Sequence, residues 1–134
     1  MTNNIVVNRI TLFSADIDKT ALFYGAIGIN VEKTFHGWGP LYHYLDILKH
    51  NEQSLIFEIY SLPSGAVISP QGLGFDVENL SEIIGKLIEM KAPLVRPWIL
   101  TEYPKFCDDC IYATFKDPDG RTVSLTQQSK VKLA

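Results

Sequence analysis

The chain has 134 residues, 46% of them apolar and 20% charged, with a formal net charge of −3. That length holds one compact domain or two small modules sharing a core, and the sparse, slightly acidic charge gives no general attraction to nucleic acid or to an anionic membrane. No apolar run is long enough to span a bilayer, and the N-terminus lacks a basic stretch followed by an apolar core, so the expectation is a cytoplasmic protein.

Taken in order, residues 5–13 alternate as a strand, with Ile10 and Leu12 on one parity and Arg9, Thr11 and Phe13 on the other. Asp16 is placed as a helix N-cap. Ile17, Thr20, Ala21, Tyr24 and Ile27 follow at helical spacing, and Gly28 stands where a left-handed C-cap belongs. Residues 30–35 form a short strand, broken by Gly37-Trp38-Gly39-Pro40. Residues 42–48 and 54–60 are two more strands, separated by the polar turn Lys49-His50-Asn51-Glu52.

Turn-forming residues fill 62–70, and the pattern then restarts. Residues 72–77 form a strand. Asn79 caps a helix, with Glu82 set for a capping box, and Leu80, Ile83, Ile84, Leu87 and Ile88 make an apolar stripe. Pro93 ends that helix, residues 94–99 are a short strand, and a long loop over 100–109 leads to a terminal hairpin. Both halves read β-α-β-β-β, and the two caps, Asp16 and Asn79, stand 63 positions apart (79 minus 16). The expectation is one domain over 1–134, with module one at 5–61, a linker at 62–70 and module two at 71–128.

In the terminal hairpin, Ile111, Ala113 and Phe115 alternate with polar residues on one side, as Val123 and Leu125 do on the other. Between them Asp117-Pro118-Asp119-Gly120 supplies the corner, with Gly120 in the left-handed position. An aromatic residue, a polar residue, Asp-Pro-Asp-Gly and an apolar strand resemble the closing hairpin of the glyoxalase I/bleomycin-resistance/extradiol dioxygenase superfamily, also called vicinal oxygen chelate. Asp16-Ile17, Phe23-Tyr24 and Gly28 resemble the first helix of the same family. The resemblance covers nearly the whole chain. It implies an α+β fold of two tandem βαβββ modules forming a curved, cleft-enclosing mixed sheet with helices on the outer face.

Parity assigns the sheet faces. The all-apolar sets (Ile10 and Leu12; Leu55, Phe57 and Ile59; Leu73, Phe75 and Val77; Val123 and Leu125) should face the helices. The opposite sets should line the cleft: Arg9, Thr11 and Phe13; Tyr42, Tyr44 and Asp46; Ile56, Glu58 and Tyr60; Gly72, Gly74 and Asp76; Tyr112 and Thr114; Thr122, Ser124 and Thr126. Trp38, Trp98, Tyr103 and Phe106 are expected at its rim. Tyrosines mixed with Arg9, Glu58 and Asp76 suit a small-molecule pocket, whereas the bland alternative is a solvated sheet face.

Metal-dependent members of the family bind a divalent ion through the first and last strand of each module. Carried over by position, those places hold Arg9, Glu58, Gly72 and Ser124, of which only Glu58 is a competent ligand, so no metal and no cofactor is expected. A charge pair between Arg9 and Glu58 is expected at that place instead, either structural or orienting a ligand. Cys107 and Cys110 enclose two aspartates, which disfavour a reactive thiolate, and no second pair completes a zinc site.

The reading is therefore a metal-independent binding protein of the bleomycin-resistance type, sequestering a planar or aromatic compound, an antibiotic among the candidates, and assembling as a homodimer. Its ligand-binding residues are expected to be Arg9, Thr11, Phe13, Trp38, Tyr44, Glu58, Tyr60, Asp76, Trp98, Phe106, Tyr112 and Ser124. The alternative is a metal-independent lyase or isomerase using Glu58 or Asp76 as general base. A third reading is a sensing or interaction domain whose cleft a partner chain fills.

Overall fold

The computed structural model describes residues 5–35, 42–68, 71–100 and 110–128. In chain order the elements are β1 (Arg9–Ser14), α1 (Ile17–Ala26), β2 (Glu32–Phe35), β3 (Tyr42–His50) and β4 (Gln53–Ser61). There follow β5 (Gly72–Asp76), α2 (Leu80–Glu89), β6 (Leu94–Leu100), β7 (Cys110–Lys116) and β8 (Thr122–Gln128). They fall into two compact units, Met1–Ile68 and Ser69–Ala134. Each is a βαβββ module with its own four-stranded mixed sheet, ordered β1-β4-β3-β2 in the first and β5-β8-β7-β6 in the second. The first and last strands of each module pair in parallel and the remaining neighbours antiparallel. This is the α+β architecture expected from the repeat.

The helices share the 63-residue offset to the residue: α1 spans Ile17–Ala26 and α2 Leu80–Glu89. Asp16 caps α1 by accepting from the Lys19 N–H at 3.2 Å. Both helices end in the same motif. Ile29 N–H donates back to Tyr24 and Gly28 to Gly25, while Ala92 donates to Leu87 and Lys91 to Ile88. The residue after each cap is left-handed, Gly28 at φ 111 and Lys91 at φ 63. The expected capping box at Asn79 is not formed. Asn79 makes no side-chain cap bond, and the first helical N–H, Leu80, instead donates to Gln127 Oε1 on β8 at 2.7 Å. A helix start satisfied from the sheet has no need of a local cap.

In the first unit, Leu12, Phe57 and Ile59 are buried together with Ile17, Ala21, Phe23, Tyr24 and Ile27 of the helix region. The Tyr24 ring lies 5.0 Å from Phe23 and 5.2 Å from Phe57. In the second, Leu80, Ile83 and Leu87 are buried, as are Ala113, Phe115, Val123 and Leu125 on β7 and β8. Ile84 is half-buried and Ile88 exposed, so the expected five-residue stripe buries a narrower face. Each large apolar side chain so buried contributes roughly 1.5–3 kcal/mol, which makes these two cores the main source of stability.

The terminal hairpin forms as read. Asp117 N–H donates to Arg121 O at 2.9 Å, Gly120 N–H to Asp117 O at 3.0 Å, and Gly120 is left-handed at φ 89. Arg121 was not anticipated as a structural residue. It is buried, with its guanidinium 3.1 Å from Asp117 Oδ2 and 3.3 Å from Asp119 Oδ2. The two acidic corner residues are thereby neutralised from inside the turn.

One strand turns over relative to expectation. In the antiparallel pairing of β3 with β4, Tyr44 lies opposite Ile59, Leu45 opposite Glu58 and Asp46 opposite Phe57. Opposed residues share a face, so Tyr42, Tyr44 and Asp46 belong to the helix side, and His43, Leu45 and Ile47 to the open side. Both tyrosine hydroxyls donate to Asp18 of α1, at 2.9 Å from Tyr42 and 2.7 Å from Tyr44. A tyrosine carries an apolar ring with a polar tip, so it suits the margin of a helix-covered face as well as a cleft.

Candidate functional site: the open face of the first sheet

β1 and β4 run parallel in a register that sets Thr11 beside Glu58 and Phe13 beside Tyr60. Alternation turns Arg9, Thr11 and Phe13 to the face away from α1, together with Ile56, Glu58 and Tyr60. Glu58 is 4% exposed, and a carboxylate so buried needs donors. Thr11 Oγ1 donates to its Oε1 at 2.8 Å, and Arg9 brings a guanidinium nitrogen to 3.5 Å from the same oxygen. Tyr60 also hydrogen-bonds to Glu58. Its phenol is raised above the usual range by burial first, then by the Glu58 charge and hydrogen bond, with Arg9 opposing.

The pair is asymmetric. The Glu58 side chain is 5% exposed and that of Arg9 57%. One guanidinium edge faces the carboxylate, and a fork with five N–H donors has more to offer than that single contact uses. Beside it, the imidazole of His43 stacks on Tyr60 with centroids 4.4 Å apart and planes 7° from parallel, and Phe13 lies 6.2 Å from the same tyrosine. The first sheet thus presents an aromatic platform next to an anchored charge pair. Such a surface offers a planar molecule a stacking face and a charge-assisted donor.

On the second sheet, β5, β8 and β7 align Asp76 with Thr126 and Tyr112, and Gly74 with Ser124 and Thr114. Asp76 is exposed and Tyr112 half-buried. Ser124 Oγ lies 3.3 Å from Thr114 Oγ1. Trp98 stands on β6, between Arg96, which pairs with Thr114, and Ile99, which pairs with Tyr112. Trp38, Tyr103, Phe106 and Cys107 lie outside the described residues.

No protein-family model matches the chain, and no curated protein does. Solved structures do. A glyoxalase-related enzyme from Fulvimarina pelagi superposes with a TM-score of 0.63 at 18% identity, over 92% of this chain and 88% of that one. The fosfomycin resistance protein FosX from Mesorhizobium loti gives 0.60 at 11% identity, over 99% of this chain and 100% of its own. An oxidase, ChaP-H2, gives 0.62 at 16% identity, over 95% and 96%. The chain has the vicinal oxygen chelate fold. At these identities the likeness speaks to the fold and leaves the chemistry to the residues.

In metal-dependent proteins of the vicinal oxygen chelate fold, the four ligand places correspond here to Arg9, Glu58, Gly72 and Ser124, and this donor set does not fit a metal ion. The Arg9 guanidinium offers N–H donors and no lone pair, and it points at Glu58. Gly72 has no side chain, and the Ser124 hydroxyl is engaged with Thr114. Among the described residues no group of three or more His, Cys, Asp or Glu side chains could hold a metal.

Of the twelve residues expected at a ligand site, the first unit brings Arg9, Thr11, Phe13, Glu58 and Tyr60 together on one face of a vicinal oxygen chelate module. Tyr44 is not among them, because its hydroxyl is on the far side at Asp18. The residue that sequence reading missed is His43, which takes the place Tyr44 was expected to fill. The signal was available in the β3–β4 turn. Its central pair is His50 with Gln53, which sets every even-numbered residue of β3 against an odd-numbered one of β4.

Proposed function

We propose that the protein binds a small planar molecule on the open face of its first sheet without using a metal ion. One observation carries this reading: a half-exposed guanidinium leans on a buried, hydrogen-bonded carboxylate beside a stacked His43–Tyr60 pair. Glu58 holds Arg9 in place, Arg9 offers its outward donors to an anionic or carbonyl end of the ligand, and Phe13 and Tyr60 supply the ring contacts, with the buried His43 stacked behind Tyr60. Stacking contributes about 0.5–1.5 kcal/mol per aromatic contact beyond area burial. In this reading the protein works as a homodimer in the cytoplasm. Holding a toxic planar compound without converting it would give resistance by sequestration, the role suggested by the bleomycin-resistance resemblance.

The burial of Glu58 favours a second reading, a metal-independent lyase or isomerase with that carboxylate as general base. Calorimetric titration with a panel of planar aromatic acids, together with product analysis, separates the two. Binding that Arg9→Ala weakens, with no product formed, supports sequestration. Turnover abolished by Glu58→Gln supports the enzyme. No binding across the panel by a folded protein removes the sequestration reading.

A further inference from the structure

On the other side of the same sheet, α1 and the chain entering β2 enclose a groove of about 540 Å³, lined by Asp18, Ala21, Leu22, Gly25, Ile29 and Val31 with Lys33 and Tyr44 at its end. Asp18, Ala21, Leu22 and Gly25 follow one another at helical spacing, so a single face of α1 forms one wall. Ala21 and Ile29 make a buried apolar floor, while Leu22 is 67% exposed along the rim. Gly25 belongs to this wall, and a Cβ built on it would meet no atom within 4 Å. A glycine inside a helix is unfavourable relative to alanine. Packing within the protein does not require one here, and the space it leaves open is part of the groove.

The polar end of the groove carries more acceptors than donors: Asp18, Glu32 and Tyr44 share it with the ammonium of Lys33. Asp18 Oδ1 accepts from both Tyr42 and Tyr44, and Oδ2 accepts from Tyr42 at 3.1 Å. Each phenolic O–H therefore donates to the carboxylate, which leaves the hydroxyl oxygens as acceptors. The Tyr44 bond, then that of Tyr42, hold Asp18 below the usual carboxylate range against a smaller opposing effect of burial, and the Lys33 charge adds to them, so it remains an anion. Glu32 adds a second negative charge to the lining. The cation there, Lys33, stands over the Tyr42 ring at 4.3 Å.

We propose that this groove is a second small-molecule site that takes an organic cation. It suits an ammonium head on a short apolar arm, with the head on Asp18 and the arm along Ala21, Gly25 and Ile29. The site is independent of the open face, because the sheet lies between them. It also gives Tyr44 a role that the open face does not.

The test is an amide NMR titration of the full-length protein with hexylammonium chloride, 1-hexanol and sodium hexanoate. Hexylammonium should shift Leu22, Gly25, Val31 and Lys33 saturably, with 1-hexanol about fivefold weaker, as expected for one exposed ion pair, and hexanoate weaker again. Asp18→Asn should make amine and alcohol equal. Gly25→Leu, whose Cβ would meet no atom within 4 Å, should abolish the shifts for both while circular dichroism shows an intact fold. Should Gly25→Leu fail to fold, Leu22→Ser gives the same readout through lost arm contacts. Equal binding of amine and alcohol by the unmodified protein, shifts centred on Glu58 and Tyr60, or shifts that do not saturate would each overturn the proposal.

Discussion

Removing Thr11 and Arg9 from Glu58 one at a time separates what holds the carboxylate in place from what would hold a ligand. Thr11→Val keeps the shape of the side chain and deletes a 2.8 Å hydrogen bond to a carboxylate that is 4% exposed. A hydrogen bond to a charged group contributes about 1.5–3 kcal/mol. Thr11 itself is exposed, so water replaces part of the loss and the expected destabilisation is about 1.5 kcal/mol. Arg9→Ala removes a longer contact, 3.5 Å, from a side chain that is 57% exposed. Solvent-screened pairs of that kind are worth only about 0.2–1 kcal/mol. The expected order is therefore Thr11→Val above Arg9→Ala in stability loss, read as the shift in urea midpoint at constant slope.

The order should invert for ligand affinity. There Arg9→Ala removes a charge-assisted donor, while Thr11→Val disturbs only its support. A double-mutant cycle should give a coupling near 1 kcal/mol for Thr11 with Glu58 and a smaller one for Arg9 with Glu58. If Arg9→Ala destabilises the unliganded protein more than Thr11→Val, the guanidinium is the structural clamp on Glu58. It would then have no donors to spare, and the reasoning behind the ligand site fails.

Other outcomes follow from individual contacts. Lys91 occupies the left-handed position that Gly28 fills in the first module; Lys91→Gly should stabilise the protein by about 0.5–1 kcal/mol in urea unfolding, and a loss of stability would contradict the C-cap assignment. The Tyr44 phenol is pushed from 10.0 up to about 12, by burial first and then by its bond to Asp18. A raised folded-state pKa gives stability that is whole below pH 10.0 and lost as pH rises to about 12, so Tyr44→Phe should flatten the alkaline limb of the stability profile. Because three of the four metal places are incompetent, elemental analysis after dialysis should find no stoichiometric divalent ion, and about one Ni, Zn, Mn or Fe per chain would overturn the donor-set argument. Every residue of the edge strand β2 is exposed, and exposed edges favour pairing between copies; light scattering should report a dimer, and a clean monomer at high concentration would exclude it.

The contrast between Tyr44 and Glu58 shows what the sequence could and could not tell. Glu58 was placed correctly because its neighbours Phe57 and Ile59 are so apolar that only the helix side can take them, and alternation then leaves one face for the carboxylate. β3 has no such contrast. Tyr42 and Tyr44 are as able to cover a helix margin as His43, Leu45 and Ile47, so composition alone leaves its facing open. The deciding information lay in the β3–β4 turn and not in the strand: with Asn51 left-handed at φ 57, the turn sets Leu45 against Glu58. In the rest of the chain the line runs between local pattern and long-range contact. The 63-residue repeat, both helix starts and the hairpin corner rest on local patterns and were legible. The Gln127 cap on Leu80 joins residues 47 positions apart, and the Asp18 groove joins a helix, a loop and two strands made of ordinary residue types. Neither leaves a local signal, because what each contributes exists only after the chain has closed on itself. His43 faces the open side and Tyr44, one place along, faces Asp18 on the other, through a pairing register and not through any property of the two residues.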